Sequence, residues 1–460
     1  MWTLAEAAGQ AGGHLAGADA PFARVVTDSR SDCTGGLFVA LHGERFDAHA
    51  FLPQALANGA VAAMVGRPLP LDLPQWVVDD TRLGLGRLAA AWRDRLESRV
   101  LAITGSNGKT TCKEMVAAIL AQTGSVLATQ GNLNNDVGMP LTLLHARDEH
   151  WLVLEMGANH HGEIGYLTDI ARPEAALITN AGRAHLEGFG SIEGVVRAKG
   201  EIAGGLPPDG TFVVPGDARW IGLWRGLARG RRVLTFGLDR DCEVRTDPAT
   251  IATEWVDAGF VTRFTADLCG CRCGLSMSLA GLHNVRNALA AAALTTAAGV
   301  APQAVAAGLA SLMPVPGRLE PKRLGGLRLI DDTYNANPDS VQAAIQVLAA
   351  LPGRPVVVLG DLGELGPDAA RLHRAVGEAV RAAGVAALYA VGDLCREAVA
   401  GYGRGGHHFD DQAALTAALR CNLTPADVVL VKGSRRAAMD RVVAALASVS
   451  DAPNGHQEGA

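Results

Sequence analysis

The stretch Val100-Leu-Ala-Ile-Thr-Gly-Ser-Asn-Gly-Lys-Thr-Thr111 restricts the possible folds more than any other part of the chain. An apolar run enters a turn, Gly105-Ser106-Asn107-Gly108, and Lys109-Thr110-Thr111 then opens a helical pattern that ends near Gln122. A strand that turns on glycine into a helix brings backbone N–H groups and the positive end of a helix dipole to one point. Lys109 adds a full charge there, suited to β and γ phosphates, and the Thr110 hydroxyl reaches a magnesium ion. The general consensus asks for glycine at position 103, where Ile103 stands. A glycine turn that merely precedes a lysine-containing helix is the alternative. The strand-to-helix context is the one the phosphate reading requires.

The rest of the chain repeats the same grammar. Short Val/Ile/Leu runs alternate with Ala-rich amphipathic segments, which argues for α/β architecture with largely parallel sheets. At 460 residues and 48% apolar composition, two to four domains are expected. Residues 1–98 form a first unit, with strands Arg24–Thr27, Leu37–Ala40, Val61–Val65 and Trp76–Val78 and a helix Thr81–Leu96. Residues 99–315 form a second, with strands Val100–Thr104, Leu152–Glu155, Ala176–Thr179 and Thr211–Val214. A β-like segment, Val233–Leu279, and helices Asn284–Ala298 and Pro302–Leu312 complete it. Pro314-Val-Pro-Gly317 marks a boundary. Residues 316–460 read as a Rossmann-like, doubly wound unit with strands Leu327–Asp331, Pro355–Leu359, Ala387–Val391 and Asp427–Val431 and a fraying polar tail.

Charge and hydropathy remove several classes of function. The net charge is −6 with no Lys/Arg block, so nucleic acid is not an expected partner. Met1–Gly13 reads as an Ala-rich helix rather than a secretory signal, and the longest apolar stretch, Ala288–Ala301, is too short for membrane insertion. A cytoplasmic, reducing compartment is therefore expected. Cys269, Cys271 and Cys273 lack the second ligand pair of a structural zinc site and read as ordinary residues near a strand or turn.

Three more residues of the second unit carry chemistry. Glu155 ends a strand, where a carboxylate faces the ligand crevice of an open α/β sheet and suits magnesium. His185 follows the next strand. Lys199 sits on a helix and, taken alone, reads as a solvated lysine.

The loop Thr104–Thr111 resembles that of the Mur ligases, which build the peptidoglycan peptide stem and share its shorter glycine spacing. Gly131-Asn-Leu-Asn-Asn-Asp136, Glu155-Met-Gly-Ala158, Ala184-His-Leu-Glu187, Ala198-Lys-Gly-Glu201, His283-Asn-Val-Arg-Asn287 and Pro316-Gly-Arg318 agree in order along the chain. In the third unit, Asp331–Pro338, Leu359–Gly366 and Val431–Arg435 are similar to the branch that adds D-alanyl-D-alanine. The Asp-Asn-Pro-Arg string frequent in the diaminopimelate-adding branch is absent.

The resemblance implies a three-domain fold and a reaction. ATP would lie on Gly105, Ser106, Asn107, Gly108, Lys109, Thr110 and Thr111. Asn287 would lie near adenine, Arg318 near the γ-phosphate, and Asp332 and Tyr334 would close the nucleotide site. Thr110, Glu155, His185 and a carbamylated Lys199 would serve Mg2+. Lys109, Lys199, His185 and Arg318 are the implied catalytic set. Ser29 and Arg30 would meet the uridine diphosphate, Asn134 and Asn135 the sugar-peptide, and Lys432 and Ser434 the incoming dipeptide. The implied substrates are UDP-N-acetylmuramoyl-tripeptide, its third residue either meso-diaminopimelate or L-lysine, and D-alanyl-D-alanine, used by a monomer. Rival readings are a folylpolyglutamate-type ligase, a P-loop ATPase or nucleotide-regulated module, and a non-catalytic scaffold.

Overall fold

A computed structural model of the chain describes residues 2–43, 46–182, 186–257 and 259–450. The expected tail 451–460 lies outside them. Among the described residues, three larger sheets follow one another along the sequence, beside a two-stranded pair near its start.

The first has five strands, in the order His14–Ala16, Gln75–Val77, Ala62–Val65, Gly36–Val39, Arg24–Val26. All neighbours are parallel except His14–Ala16, which runs against Gln75–Val77. The helix expected over Thr81–Leu96 ends at Arg93. Met1–Gly13 is not one helix: Trp2–Thr3 pairs with Pro21–Phe22, and the helix is Leu4–Ala11 with a Thr3/Glu6 capping box.

The second sheet has ten strands. Val126–Ala128, Trp151–Glu155, Arg99–Thr104, Ala175–Ile178, Thr211–Pro215, Arg232–Gly237 and Val244–Thr246 lie side by side and parallel. Beyond Val244–Thr246 the direction reverses into Gly259–Leu268, flanked by Ala252–Val256 and Cys271–Met277. Arg99–Thr104 is buried on both faces: Val100 and Ala102 join one core, Leu101 and Ile103 the other. That is why it reads as an unbroken apolar run rather than an alternation. The helix after the glycine turn, Lys109–Leu120, buries Cys112, Met115, Val116 and Ile119, a single helical face. Leu85, Leu88 and Ala89 of the first unit share a core with Leu141, Leu143 and Leu144 of the second, so these two units pack as neighbours.

The third sheet orders Glu320–Leu324, Leu327–Asp332, Asp427–Lys432, Arg354–Gly360, Ala387–Val391 and Gly406–Phe409. Five strands are parallel, and Glu320–Leu324 adds an antiparallel edge. Helices cover both faces, with Val357 and Leu359 in one core and Val356 and Val358 in the other. The molecule is thus α/β with a mostly parallel central sheet and a doubly wound third one. Cys269, Cys271 and Cys273 lie on a hairpin whose two-residue loop, Cys269-Gly270, has positive φ at both positions, as its tight turn requires. Among the described residues no helix is long and apolar enough to cross a membrane.

Candidate active site

The carboxyl ends of the central strands open into a cleft of about 1110 Å³ that the third unit closes from the other side. Its floor is the glycine loop. A Cβ at Gly105 would collide with Thr179 Oγ1, and one at Gly108 with Asn287 Oδ1, so both positions must be glycine. Asn180 holds the loop: its carbonyl accepts from Ser106 N at 3.0 Å and its side-chain oxygen from Asn107 N at 3.0 Å. Thr179 Oγ1 donates to the Asn107 carbonyl at 2.7 Å. Lys109 Nζ donates to the Gly105 carbonyl at 2.9 Å. Burial pushes the Lys109 pKa down, and the carboxylate of Glu155 partly offsets this.

Glu155 ends its strand only 2% exposed. Its Oε1 accepts from Asn134 Nδ2 at 2.8 Å, while Oε2 is buried with no hydrogen-bond partner among the described residues. An orphaned buried carboxylate oxygen is costly unless a cation or donor completes it. With Thr110 in the same cleft, the donors are the oxygens that magnesium takes, so the residues fit that ion.

Lys199, at the end of the helix Ile192–Gly200, is 1% exposed rather than solvated. Its Nζ lies 5.4 Å from the centre of the Phe189 ring. Burial, reinforced by the charge of Lys109, lowers its pKa to about 7, with Glu163 and Glu201 opposing. A sizeable fraction of Lys199 is therefore the neutral amine at neutral pH. His185 lies outside the described residues.

The third unit reaches the phosphate loop directly. Arg318 Nη2 donates to Thr110 Oγ1 at 3.1 Å, and Asn337 Nδ2 donates to Asn107 Oδ1 at 2.6 Å. The Arg318 guanidinium lies 4.2 Å from the Tyr334 ring centre, and that of Arg435 lies 5.3 Å from it. Asn287 Nδ2 donates to Asn284 Oδ1 at 3.2 Å beside the loop.

Lys432 is buried in the cleft wall. Its ammonium pairs with Asp332 Oδ2 at 2.6 Å and donates to the Asn335 carbonyl at 2.9 Å. Burial raises the Asp332 pKa and Lys432 counteracts that. Burial, with the nearby Lys432 charge, also lowers His283 to about 4. Ser434 lines the cleft, its N–H donating to the Asp361 carbonyl at 2.9 Å. Asn135 lines the cleft too, and its side chain accepts from Gly138 N at 2.9 Å.

Ser29 and Arg30 are not brought into this cleft. They follow the strand Arg24–Val26 in the first unit, where Ser29 Oγ donates to Gln54 Oε1 at 2.9 Å. Arg30 grips Asp28 with two bonds of 2.9 and 2.8 Å, which holds the Asp28 carboxyl at about 2.

Sequence reasoning passed over Asn180, Asn337, Glu364 and the pair Arg286–Asp217, at 2.9 Å, all in the cleft wall. Asn337 stood inside the segment Asp331–Pro338, and Asn180 directly follows the strand expected over Ala176–Thr179. Asn180 stands just past the end of the strand Ala175–Ile178 and Asn337 just before the helix Pro338–Ala349, and that placement was the available signal.

Residues 103–295 match the Mur ligase middle domain, and residues 317–435 match the Mur ligase, glutamate ligase domain. The chain is 46% identical over 449 residues to the UDP-N-acetylmuramoyl-tripeptide–D-alanyl-D-alanine ligase of Escherichia coli (strain K12), covering 96% of this chain and 98% of that one. Its structure resembles crystal structure I of MurF from Acinetobacter baumannii, with a TM-score of 0.91, 36% identity, and 97% and 99% of the two chains covered. It also resembles the MurF ligase of Thermotoga maritima in complex with ADP, with a TM-score of 0.83, 29% identity, and 93% and 97% covered.

Proposed function

The chain belongs to the Mur ligase family, and we propose from this that it uses ATP to join D-alanyl-D-alanine to UDP-N-acetylmuramoyl-tripeptide. The observation that carries this reading is the meeting of the phosphate loop and the third unit in one cleft, through Arg318 on Thr110 and Asn337 on Asn107. A ligase of this kind must hold a triphosphate, a carboxylate and an amine together.

A carboxylate is a poor acyl donor because its leaving group would be oxide. Transfer of the γ-phosphoryl group to a carboxylate oxygen of the tripeptide breaks the bond to ADP and makes phosphate the leaving group. This sets anion against anion, and Lys109 and Arg318 offset the repulsion in a partly desolvated cleft. The dipeptide amine then attacks the acyl carbon. The tetrahedral adduct loses a proton and expels phosphate, leaving the amide. A magnesium ion held by Thr110, Glu155, His185 and carbamylated Lys199 would neutralise phosphate charge. An ammonium cannot ligate a cation, but the neutral Lys199 amine can add to carbon dioxide and release a proton, giving a carbamate that can. The third unit excludes water, the competing nucleophile.

Gly105 to Thr111 hold the triphosphate, Asn287 lies near adenine, and Tyr334 and Asp332 bound the nucleotide from the third unit. Ser29 and Arg30 receive the uridine diphosphate, which places the muramoyl peptide along Asn134 and Asn135. Lys432, paired with Asp332, and Ser434 meet the dipeptide. Domain boundaries fall at 98/99 and 315/316. The enzyme works as a monomer in the cytoplasm, where nucleotide-linked precursors are made. The test is product mass after incubation with ATP, UDP-linked dipeptide or tripeptide acceptors, folate, and a panel of amines. Addition of D-alanyl-D-alanine to the tripeptide supports the reading. Addition of a single amino acid to the UDP-linked dipeptide, or of glutamate to folate, overturns it.

A further inference from the structure

Two loops of the third unit form one lip of the cleft. The loop after Arg354–Gly360 and the loop after Asp427–Lys432 are tied by the bond from Ser434 N to the Asp361 carbonyl, and Gly363 packs against the Ser434 side chain. The Asp361 carboxylate turns inward and accepts from Cys395 N at 2.9 Å. His373 braces the loop from beneath: Nε2 accepts from Leu362 N at 3.0 Å, and Nδ1 donates to the Ala369 carbonyl at 2.7 Å. Asp361, His373 and Cys395 therefore form a structural brace, with both nitrogens of the histidine engaged.

The braced loop presents Glu364 to the cleft. Glu364 has φ 59, in the left-handed region where a side chain is strained and glycine is not. Glycine precedes it at 363 and leucine and glycine follow it, so a carboxylate is kept where the backbone favours none. Its charge is felt at Lys109, across the cleft, where it favours the protonated form. Arg435 and Arg436 are exposed on the same lip and line the same cleft. The lip thus offers an anion and two guanidiniums.

That pattern complements a zwitterion, but not equally for all zwitterions. A free α-amino acid carries its carboxylate on the carbon next to the ammonium. A dipeptide carries a neutral amide there and its carboxylate one residue further along. A fixed anion beside the acceptor nitrogen attracts both ammonium groups and repels the nearby carboxylate of the free amino acid alone. Resting on the function proposed above, we infer that Glu364 holds the ammonium of the acceptor and rejects single amino acids, while Arg435 and Arg436 receive the distant carboxylate of the dipeptide. Guanidinium is suited to that task because it binds carboxylate through two parallel bonds.

The test compares the native enzyme with Glu364→Gln and Glu364→Gly, the second relieving the backbone strain while removing the charge. Initial rates of ADP release are measured with UDP-N-acetylmuramoyl-tripeptide and ATP, against D-alanyl-D-alanine and D-alanine. Both variants should raise the dipeptide KM about tenfold, an effect of the size of one charged contact. Both should narrow the kcat/KM preference for dipeptide over D-alanine and leave the KM of ATP within about twofold. An unchanged dipeptide KM and an unchanged preference in both variants overturn the inference. A parallel rise in the KM of ATP also overturns it, assigning Glu364 to the nucleotide. If the native enzyme itself does not use the dipeptide, the failure lies with the proposed function and not with Glu364.

Discussion

Where the central sheet faces the cleft, the polar groups are buried or half-buried and tied to one another: Asn180 to two loop amides, Thr179 to the Asn107 carbonyl, Asn134 to Glu155. On the outer lip that the third unit adds, Glu364, Arg435 and Arg436 stand exposed, and Glu364 holds left-handed backbone. The difference separates two tasks. Phosphoryl transfer needs charges fixed in advance, because reorganising them during the reaction would cost what they contribute. Choosing an amine needs a rim whose side chains can change without disturbing that wall.

The largest effect should come from the buried wall. Lys109→Ala should lower kcat on the order of a hundredfold or more, measured as ADP release, with little change in melting temperature. Activity within tenfold of native would erase the distinction between the two walls.

Lys199 sharpens it through pH. The unfolded chain keeps this lysine protonated to about 10.5, and the folded protein releases the proton near 7. Between those values the unfolded state binds more protons, so stability rises with pH, and the full cost of burying the charge applies below about 7. In buffer free of carbon dioxide, Lys199→Met should be more stable than native at pH 6, by on the order of a few kcal/mol, with the gap closing as pH rises towards 10. Urea unfolding at the two pH values checks this, and parallel shifts would contradict it. Activity of Lys199→Ala should fall steeply and return in part when short carboxylates are added.

The seam between the walls should matter less. Asn337 caps the helix Pro338–Ala349 and also donates to Asn107. Asn337→Ser keeps the cap and removes the cross-link, so the KM of ATP should rise about threefold, the worth of one hydrogen bond, with the melting temperature unchanged. An effect on the melting temperature alone would reduce Asn337 to a cap.

Arg30 should show the smallest effect on stability, since its pair with Asp28 is exposed and screened by solvent. Arg30→Ala should leave melting unchanged and raise the KM of the UDP-linked substrate but not that of ATP.

Much of the buried wall could be read from the sequence, because one dense motif combined strand, turn and helix. Glu155 was legible as a strand-end carboxylate, and the parallel strands as unbroken apolar runs. Lys199, taken alone, reads as a solvated helix lysine, because its burial beside Phe189 is set by tertiary packing that residue type does not show. The rim was less legible. The pairing of Lys432 with Asp332 joins residues a hundred positions apart and has no local signal. Glu364 sat within a quoted motif, but its left-handed φ has no trace in residue type. Short edges such as Val126–Ala128 and Gly406–Phe409 carry too few residues to show a period, and Glu320–Leu324 is polar because it lies at a sheet edge.

The central claim is that the buried wall activates the carboxylate by phosphorylation before the rim delivers the amine. Its most direct test uses tripeptide labelled with 18O in the reacting carboxylate, followed through ligation with ATP and D-alanyl-D-alanine. The account predicts that released phosphate gains one 18O per amide formed, in native enzyme and in Glu364→Gln alike. Ligated product accompanied by unlabelled phosphate would contradict it.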